Sequence, residues 1–395
     1  MSSPAGPRVL TINTGSSSLK AAVYLMDQGE ARLLRLEASR IGRPESWLQV
    51  IGADGGRLFD GAQALPDYGA ALDAVLRWMD RNDQPVSPDV VAHRVVHGGS
   101  RYWEPARVTP ELLGALEALV PIDPEHMPQA VACIRGMARA HPELPQVACF
   151  DTGFHRGMPP VARTYPVPRR LAETGIVRYG FHGLSYEYVI QRLHELEGEA
   201  ASGRVIIAHL GNGASLAAVR DDQSIDTTMG FSPTGGLVMG TRCGDLDPGL
   251  VLYLLRHQGL TADQVSDLLS RDSGLLGVSE TSQDMRDLLE REATDPRAAE
   301  AIDLFCYQAA KYIAAYAAAL GGLDILVFTA GIGERAAPVR ERICARLCFL
   351  GLELDRERNR RHDRVVSTEA SRIKVRIVKT NEELMIARHA SRFAT

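Results

Sequence analysis

The amino-acid sequence predicts an α/β protein made of two similar layered domains that face a cleft. Its 395 residues exceed the roughly 100–200 of a single domain, so two substantial cores are expected. Short β-rich runs alternate along the chain with amphipathic stretches, which is the pattern of strands and helices in α/β layers. An internal echo adds that the halves are alike: VLTINTGSSSLKAAVY from Val9 aligns without gaps to VIIAHLGNGASLAAVR from Val205, with five identities. The identities are few, but one segment opens the chain and the other opens its second half. Each reads as strand, glycine turn, strand.

Taken in order, strands are expected at 9–13, 90–96, 146–150, 205–210, 325–329 and 375–378, each a short apolar or β-branched run. Helices are expected at 70–81, 128–140, 248–257 and 298–320, where apolar residues recur at helical spacing. The stretch 312–328 is the most apolar, yet Gly321-Gly322 and Asp324 interrupt it. It reads as a helix, a glycine stop and a buried strand, not as a membrane span. A domain boundary is expected after Phe150, with the second domain running over 151–382 and the C-terminal helix 383–395 joining the first.

A formal charge of −5 and a pI near 6.1 provide no diffuse basic surface of the kind that holds nucleic acid or anionic membrane. Neither is expected as a partner, so an anionic ligand must be gripped by local groups. Cys133, Cys149, Cys243, Cys306, Cys344 and Cys348 form no Cys-x-x-Cys pair, and a chain of this size needs no disulfide staples. Reduced thiols and a cytoplasmic location are the simplest expectation. The opening MSSPAGPR runs into a strand pattern without the cationic and apolar regions of a signal peptide, so export is not expected.

In the first hairpin Asn13, Gly15, Ser16, Ser18 and Lys20 gather backbone amides, hydroxyls and an ammonium group at a sharp turn, which is what a polyphosphate requires. No GxxxxGK[ST] follows a strand, which disfavours a P-loop. A serine- and glycine-rich turn is more often a plain hairpin. The second turn, His209-Leu210-Gly211-Asn212-Gly213, and the cluster Gly331-Ile332-Gly333-Glu334 after an apolar strand shift the balance. Three strand-to-glycine turns suit a nucleotide lying between the domains.

NTGSSSLK, HRVVHGG, FDTGFH, RYGFHG, HLGNGAS, MGTRCGDLDPG, TAGIGER and TNEEL occur in this order from Val9 to the C-terminus, and with them the chain resembles the acetate kinase family over nearly its whole length. The resemblance implies two duplicated ribonuclease-H-like domains of the actin-like ATPase kind, with ATP in the interdomain cleft. It implies reversible, direct in-line transfer of a phosphoryl group from ATP to acetate, giving acetyl phosphate and ADP. Mg2+, replaceable by Mn2+, is the implied cofactor, and a homodimer the implied assembly.

A carboxylate is ionised at neutral pH and needs no general base, unlike a sugar hydroxyl. The catalytic demand is electrostatic: two anions must meet while charge on the transferring phosphoryl oxygens is spread over cations and metal. Lys20, Arg94, His182 and Arg242 are the cations set beside glycines or at strand ends, and planar arginine donors meet oxyanions bidentately. A single arginine is more often a surface ion pair, and a single histidine a satisfied structural residue. The motif context reverses that balance.

By the resemblance, Arg94 binds the substrate carboxylate or its phosphate, and Asp151, His182 and Arg242 form the catalytic set. His182 and Arg242 stabilise the phosphoryl group, while Asp151 positions metal and phosphate instead of removing a proton. Val96, Ile122, Phe181 and Pro233 match a small apolar acyl pocket. Lys20, Ser16, Ser18, His209, Leu210, Gly211, Asn212, Gly213, Asp284, Met285, Arg286, Gly331, Ile332, Gly333, Glu334 and Arg335 match nucleotide-binding positions. Asn13 and Glu382 match the metal site, where hard oxygens and water suit magnesium, and Glu383 is left as a helix-dipole partner.

The chain departs from the family pattern in three places. LAPLHNP reads LVPIDPE, so Asp123 replaces a histidine, with His126 nearby in sequence. GFHGTSH reads GFHGLSY through Leu184 and Tyr186, and TPLEGL reads SPTGGL through Thr234 and Gly235. Propionate or another short-chain carboxylate is the nearest alternative substrate, since one methylene in an apolar pocket is worth only about 1–3 kcal/mol. A sugar kinase would use an aspartate base and hydroxyl-binding groups. An ATP-driven clamp of the chaperone or actin kind would need a peptide-binding domain or a polymer interface. The Asp123 replacement motivates one further alternative, a catalytically silent ATP-binding scaffold.

Overall fold

A computed structural model describes residues 6–15, 17–80 and 87–394. Ser16 and residue 81, the expected end of the first helix, lie outside the described residues. The chain divides into two compact units, Met1–Gly153 with Asn381–Thr395, and Phe154–Thr380. Asp151 and Glu382, placed in the second domain from the sequence, both lie in the first unit. The chain leaves that unit after Gly153 and re-enters it at Asn381, because the C-terminal helix packs on the first sheet.

That sheet contains β1 (Arg8–Thr14), β2 (Ser18–Leu25), β3 (Ala31–Ser39), β4 (Trp47–Gly52), β5 (Arg57–Ala62), β6 (Val90–Val95), β7 (Ala106–Arg107) and β8 (Gln146–Phe150), in the order β5-β4-β3-β2-β1-β6-β8-β7. β1 to β5 form an antiparallel meander, and β6 and β8 run parallel to β1. Successive side chains alternate between faces. Leu10, Ile12, Leu19, Ala21, Val23 and Leu36 turn toward the helices Tyr68–Asp80 and Met127–Ala140, where Leu72, Val75 and Met137 complete the core.

The opposite face carries Asn13, Lys20, Arg94 and Cys149, and against it lies the helix Glu382–Ser391. Its N-cap is Asn381, whose Oδ1 accepts from Leu384 N at 3.0 Å. It buries Met385, Ile386, Ala387 and Ala390.

The second unit is built on β9 (Val205–Leu210), β10 (Ala214–Arg220), β11 (Gln223–Thr227), β12 (Ile325–Thr329) and β13 (Lys374–Ile377), in the order β11-β10-β9-β12-β13. β12 runs parallel to both β9 and β13. The helix Gly183–Glu197 packs Tyr186, Val189 and Leu193 onto Val205, Ile207, Ala217 and Val219. The helix Pro296–Leu320 ends at Gly321 with φ 73°, the expected glycine stop. Among the described residues no helix is long and apolar enough to cross a membrane.

The two echoed segments are both hairpins, but their turns differ. Thr14 pairs with Leu19 in the first and Leu210 with Ala214 in the second, so the second turn is one residue shorter. With β1 laid on β9 as aligned, β2 and β10 are therefore out of step by one residue, which exchanges faces. The repeated Ala-Ala-Val at 21–23 and 217–219 does not mark equivalent positions.

Candidate active site

In the first unit Arg94 stands near the C-terminal end of β6, where ligand sites of open α/β sheets gather. Its Nε donates to both Asp151 oxygens at 3.0 Å, and its Nη2 to Oδ2 at 2.5 Å. Nη1 donates to Asn13 Oδ1 at 3.0 Å and lies 3.9 Å from Glu382 Oε2. Strand register makes this cluster. Ile12 pairs with His93 across β1 and β6, which sets Asn13 beside Arg94, and Asp151 follows β8 with its N–H on Val95 O at 3.0 Å.

The Asp151 side chain is 1% exposed and that of Arg94 is 17% exposed. Burial works against the Arg94 charge, but Asp151 and Glu382, with a smaller push from Asp123, outweigh it and raise its pKa above the ordinary arginine value. Three of the five guanidinium N–H groups are used. One on each terminal nitrogen makes no hydrogen bond among the described residues, with Glu382 facing Nη1 from 3.9 Å.

Asn13 Oδ1 and the Glu382 carboxylate converge on the same Arg94 nitrogen. No group of three or more His, Cys, Asp or Glu side chains that would hold a metal exists among the described residues. Two hard oxygens fit magnesium, which keeps several waters and takes phosphate oxygens for the rest of its shell. Lys20 pairs with Asn13 across the hairpin, so it shares that face. The turn before it is tied down by Tyr68, whose hydroxyl donates to Gly15 O at 2.5 Å. Asp123 is 3% exposed, with His126 Nδ1 3.0 Å from its Oδ1.

In the second unit the approach to His182 is set by Gly180, with φ 76°. A Cβ there would lie 2.5 Å from His155 Cδ2. His155 is buried, donates from Nε2 to Phe181 O at 3.0 Å and accepts at Nδ1 from Ser224 Oγ at 2.7 Å. Burial pushes its pKa down to about 4, so it is a neutral strut. His182 itself is left-handed, φ 60°, at the N-cap of the helix Gly183–Glu197, a conformation that histidine tolerates better than most residues.

The His182 ring stacks on His209 with centroids 4.1 Å apart, and its Nδ1 lies 2.9 Å from Ser215 Oγ. A Cβ on Gly213 would lie 3.3 Å from His182 Nε2 and 3.9 Å from Arg242 Nη1. Both donors border the space that a side chain at Gly213 would fill. Arg242 ends a turn gripped from behind: the amides of Ser273, Leu275 and Leu276 donate to the carbonyls of Thr241, Met239 and Gly240 at 3.0, 2.8 and 2.9 Å. Gly274, φ 64°, permits that contact, since a Cβ there would lie 2.3 Å from Met239 O.

The same unit holds a cavity of about 760 Å³. The parallel pairing of Thr329 with His209 brings the turns after β9 and β12 together, and a Cβ on Gly211 would lie 3.7 Å from that of Ala330. Gly211, Asn212, Asp284, Met285, Arg286, Gly331, Ile332 and Arg335 line the cavity, all expected from the sequence. Gln283, Leu289, Glu290, Ala336 and Pro338 line it too, and no motif singled them out.

Residues 8–388 match the model of the Acetokinase family. The chain belongs to that family. A protein named acetate kinase from Rhodopseudomonas palustris (strain ATCC BAA-98 / CGA009) is 45% identical over 396 residues, 98% of each chain. One from Carboxydothermus hydrogenoformans is 42% identical over 96% of this chain and 98% of its own. Among solved structures, the acetate kinase of Porphyromonas gingivalis superposes with a TM-score of 0.88 at 34% identity, covering 98% of this chain and 100% of its own. A propionate kinase from Francisella tularensis gives 0.92 at 34% identity, covering 98% and 99%. The acetokinase fold, two ribonuclease-H-like domains of the actin-like kind, is the fold of this chain.

Several nucleotide positions expected from the sequence are not among the residues that line the cavity. Leu210 is fully buried in β9, and His209, 6% exposed, is turned onto His182. Gly213 faces His182 and Arg242. Gly333 fits against Ala208 and Phe328, and Glu334 accepts from Thr380 N at 3.2 Å. Lys20 and Ser18 belong to the first unit. Of the acyl-pocket residues, Val96 and Ile122 are in the first unit and Phe181 and Pro233 in the second. Pro233 also accepts from Arg242 Nη1 at 3.2 Å. Ser215, His155 and Tyr186, which support His182, were missed as site residues. Tyr186 stood out in the sequence only as a departure from the family pattern.

Proposed function

We propose that the protein transfers the γ-phosphoryl group of ATP to acetate, giving acetyl phosphate and ADP, and catalyses the reverse on the same groups. The observation that carries this reading is the Arg94 fork. Asp151 and Asn13 take three of its N–H groups, and the two left over suit two oxygens of one carboxylate or phosphate. Acetate is already ionised, so its oxygen attacks the γ-phosphorus with no proton to remove. The new O–P bond forms as the bond to the β–γ bridging oxygen breaks, and ADP departs with that electron pair.

Asp151 offers both oxygens to Arg94 and therefore aims the guanidinium; it is not a base in this scheme. His182 Nε2 and Arg242 serve the phosphoryl oxygens, where preorganised donors lower the barrier most. A cavity of about 760 Å³ is of nucleotide size, and its glycine turns offer backbone amides to phosphates. Asn13 and Glu382 would hold Mg2+, which when bound would neutralise phosphate charge. Val96, Ile122, Phe181 and Pro233 are the acyl contacts. We place the enzyme in the cytoplasm, consistent with its free thiols. We expect a homodimer, with Leu250, Leu252 and Tyr253 exposed on one helix as candidate contacts.

The test is acyl-phosphate formation from magnesium-ATP with acetate, propionate, butyrate or glycerol, with Arg242→Ala as control. Turnover on acetate that collapses in the control supports the reading. Failure to phosphorylate any carboxylate while ATP still binds overturns it, and turnover on glycerol would assign a hydroxyl acceptor.

A further inference from the structure

Behind His182 lies a file of hydroxyls that the chemistry above does not use. Tyr186 OH meets Ser215 Oγ, and Ser215 Oγ meets His182 Nδ1 at 2.9 Å. Tyr186 and Ser215 are fully buried, and Ser215 is the only hydrogen-bond partner of the Tyr186 hydroxyl among the described residues. A buried O–H with no acceptor is costly, so Tyr186 must donate to Ser215. Ser215 in turn sends its own proton to His182 Nδ1. That nitrogen then carries a lone pair, and the ring proton sits on Nε2, the atom facing Gly213.

We propose that Tyr186 is a positioning residue for phosphoryl transfer, fixing His182 through Ser215 as the neutral Nε2–H tautomer. The proposal rests on reading His182 as a donor to the transferring phosphoryl group. Protonating Nδ1 would oblige Ser215 to accept from it. Either the serine or the tyrosine proton would then lose its acceptor in a dry site.

Two titratable or charged groups beside His182 act in the same sense. His209 stacks on the ring from β9, and Arg242 Nη1 borders the same space beside Gly213 that Nε2 does. A second positive charge beside either is disfavoured. Burial raises the Tyr186 pKa above its ordinary value, which keeps its proton in place. His182 thus presents an oriented N–H instead of a mobile cation, while Arg242 supplies the charge.

The experiment pairs nitrogen NMR of isotope-labelled histidine in the full-length protein with steady-state kinetics. Tyr186→Phe keeps the ring that touches Phe154, His155 and His209 and deletes the hydroxyl. Ser215→Ala removes the centre of the file. In the parent enzyme His182 should show a protonated Nε2 and bare Nδ1 through the ordinary imidazole range. In Tyr186→Phe the cationic form should appear near neutral pH. In that variant kcat should drop about tenfold, the worth of one well-made hydrogen bond, with KM for ATP and acetate unchanged and the rate recovering as pH rises.

A parent His182 protonated at Nδ1 would overturn the proposal. So would a Tyr186→Phe variant with unaltered nitrogen signals and kcat. If the parent enzyme makes no acyl phosphate, the functional reading fails, and the nitrogen signals still decide the tautomer.

Discussion

Replacing Asp151 by asparagine keeps the side chain's shape and removes its charge. Three Arg94 contacts end on that carboxylate, and only 1% of its surface reaches solvent. Breaking a buried pair by altering one partner costs about 3–5 kcal/mol. The amide oxygen still accepts one bond and Arg94 is 17% exposed, so the lower end, about 3 kcal/mol, is expected.

For a unit of this size that loss lowers the unfolding midpoint by about 6–12 °C. The three tryptophans, Trp47, Trp78 and Trp103, all lie in the first unit, so their fluorescence reports its melting separately from the second. Misaimed by the lost contact, Arg94 should also reduce kcat/KM for acetate by about a hundredfold, the usual scale for a misplaced binding group. If activity vanished while the tryptophan transition stayed in place, the ion-pair reasoning would be refuted and a proton-transfer role for Asp151 would return.

Three further outcomes are expected. Gly213→Ala places a methyl 3.3 Å from His182 Nε2; it should cut kcat about a hundredfold while titration calorimetry finds ADP affinity intact, and normal turnover would contradict a role for the space that His182 and Arg242 border. Asp123→Asn removes a carboxylate that acts on Arg94 and should lower KM for acetate about threefold, so a raised KM would show that Asp123 supports the site. Burial pushes both His93 and His155 from an ordinary 6.5 down to about 4. The unfolded chain therefore takes up protons first, and stability present above pH 6.5 is lost as pH falls toward 4. Urea unfolding should show each unit weaker by about 2 kcal/mol at pH 5 than at pH 7, and a flat profile would contradict neutral burial of these rings.

The strands nearest the site were legible because each is an apolar run closed by a glycine or an acidic residue, as in β9 before Gly211 and β8 before Asp151. The outer strands β3, β4 and β5 were not anticipated. Arg32, Arg35 and Glu37 on β3 face solvent or half-buried surroundings, and such one-sided strands lack the continuous apolar signal of a central one. Motif order singled out Arg94, Asp151, His182 and Arg242, since glycines beside charged groups survive in the sequence as spacing. What they touch depends on register. Arg94 meets Asn13 because β6 runs beside β1, and no spacing along the chain encodes that. The family pattern likewise counted His182 among the cations, whereas its hydroxyl file is visible only once β10 carries Ser215 beneath the helix holding Tyr186. The ungapped echo hides one difference for a related reason: a turn one residue shorter is invisible to it.

The return of the chain to its first unit at Asn381 bears on how the protein is made. Asn13 and Glu382 are separated along the chain by the whole of the second unit, and the helix that covers the Asn13 face of the sheet follows that unit in chain order. Synthesis runs from the N-terminus, so the strands of the first unit are made before Met385, Ile386, Ala387 and Ala390, with all of Phe154–Thr380 lying between them in the chain. The Asn13, Arg94 and Glu382 cluster therefore forms only once residue 382 has been added, later than every residue that lines the cavity. A molecule cut short before Asn381 would keep the residues that line the cavity and lack Glu382 beside Arg94.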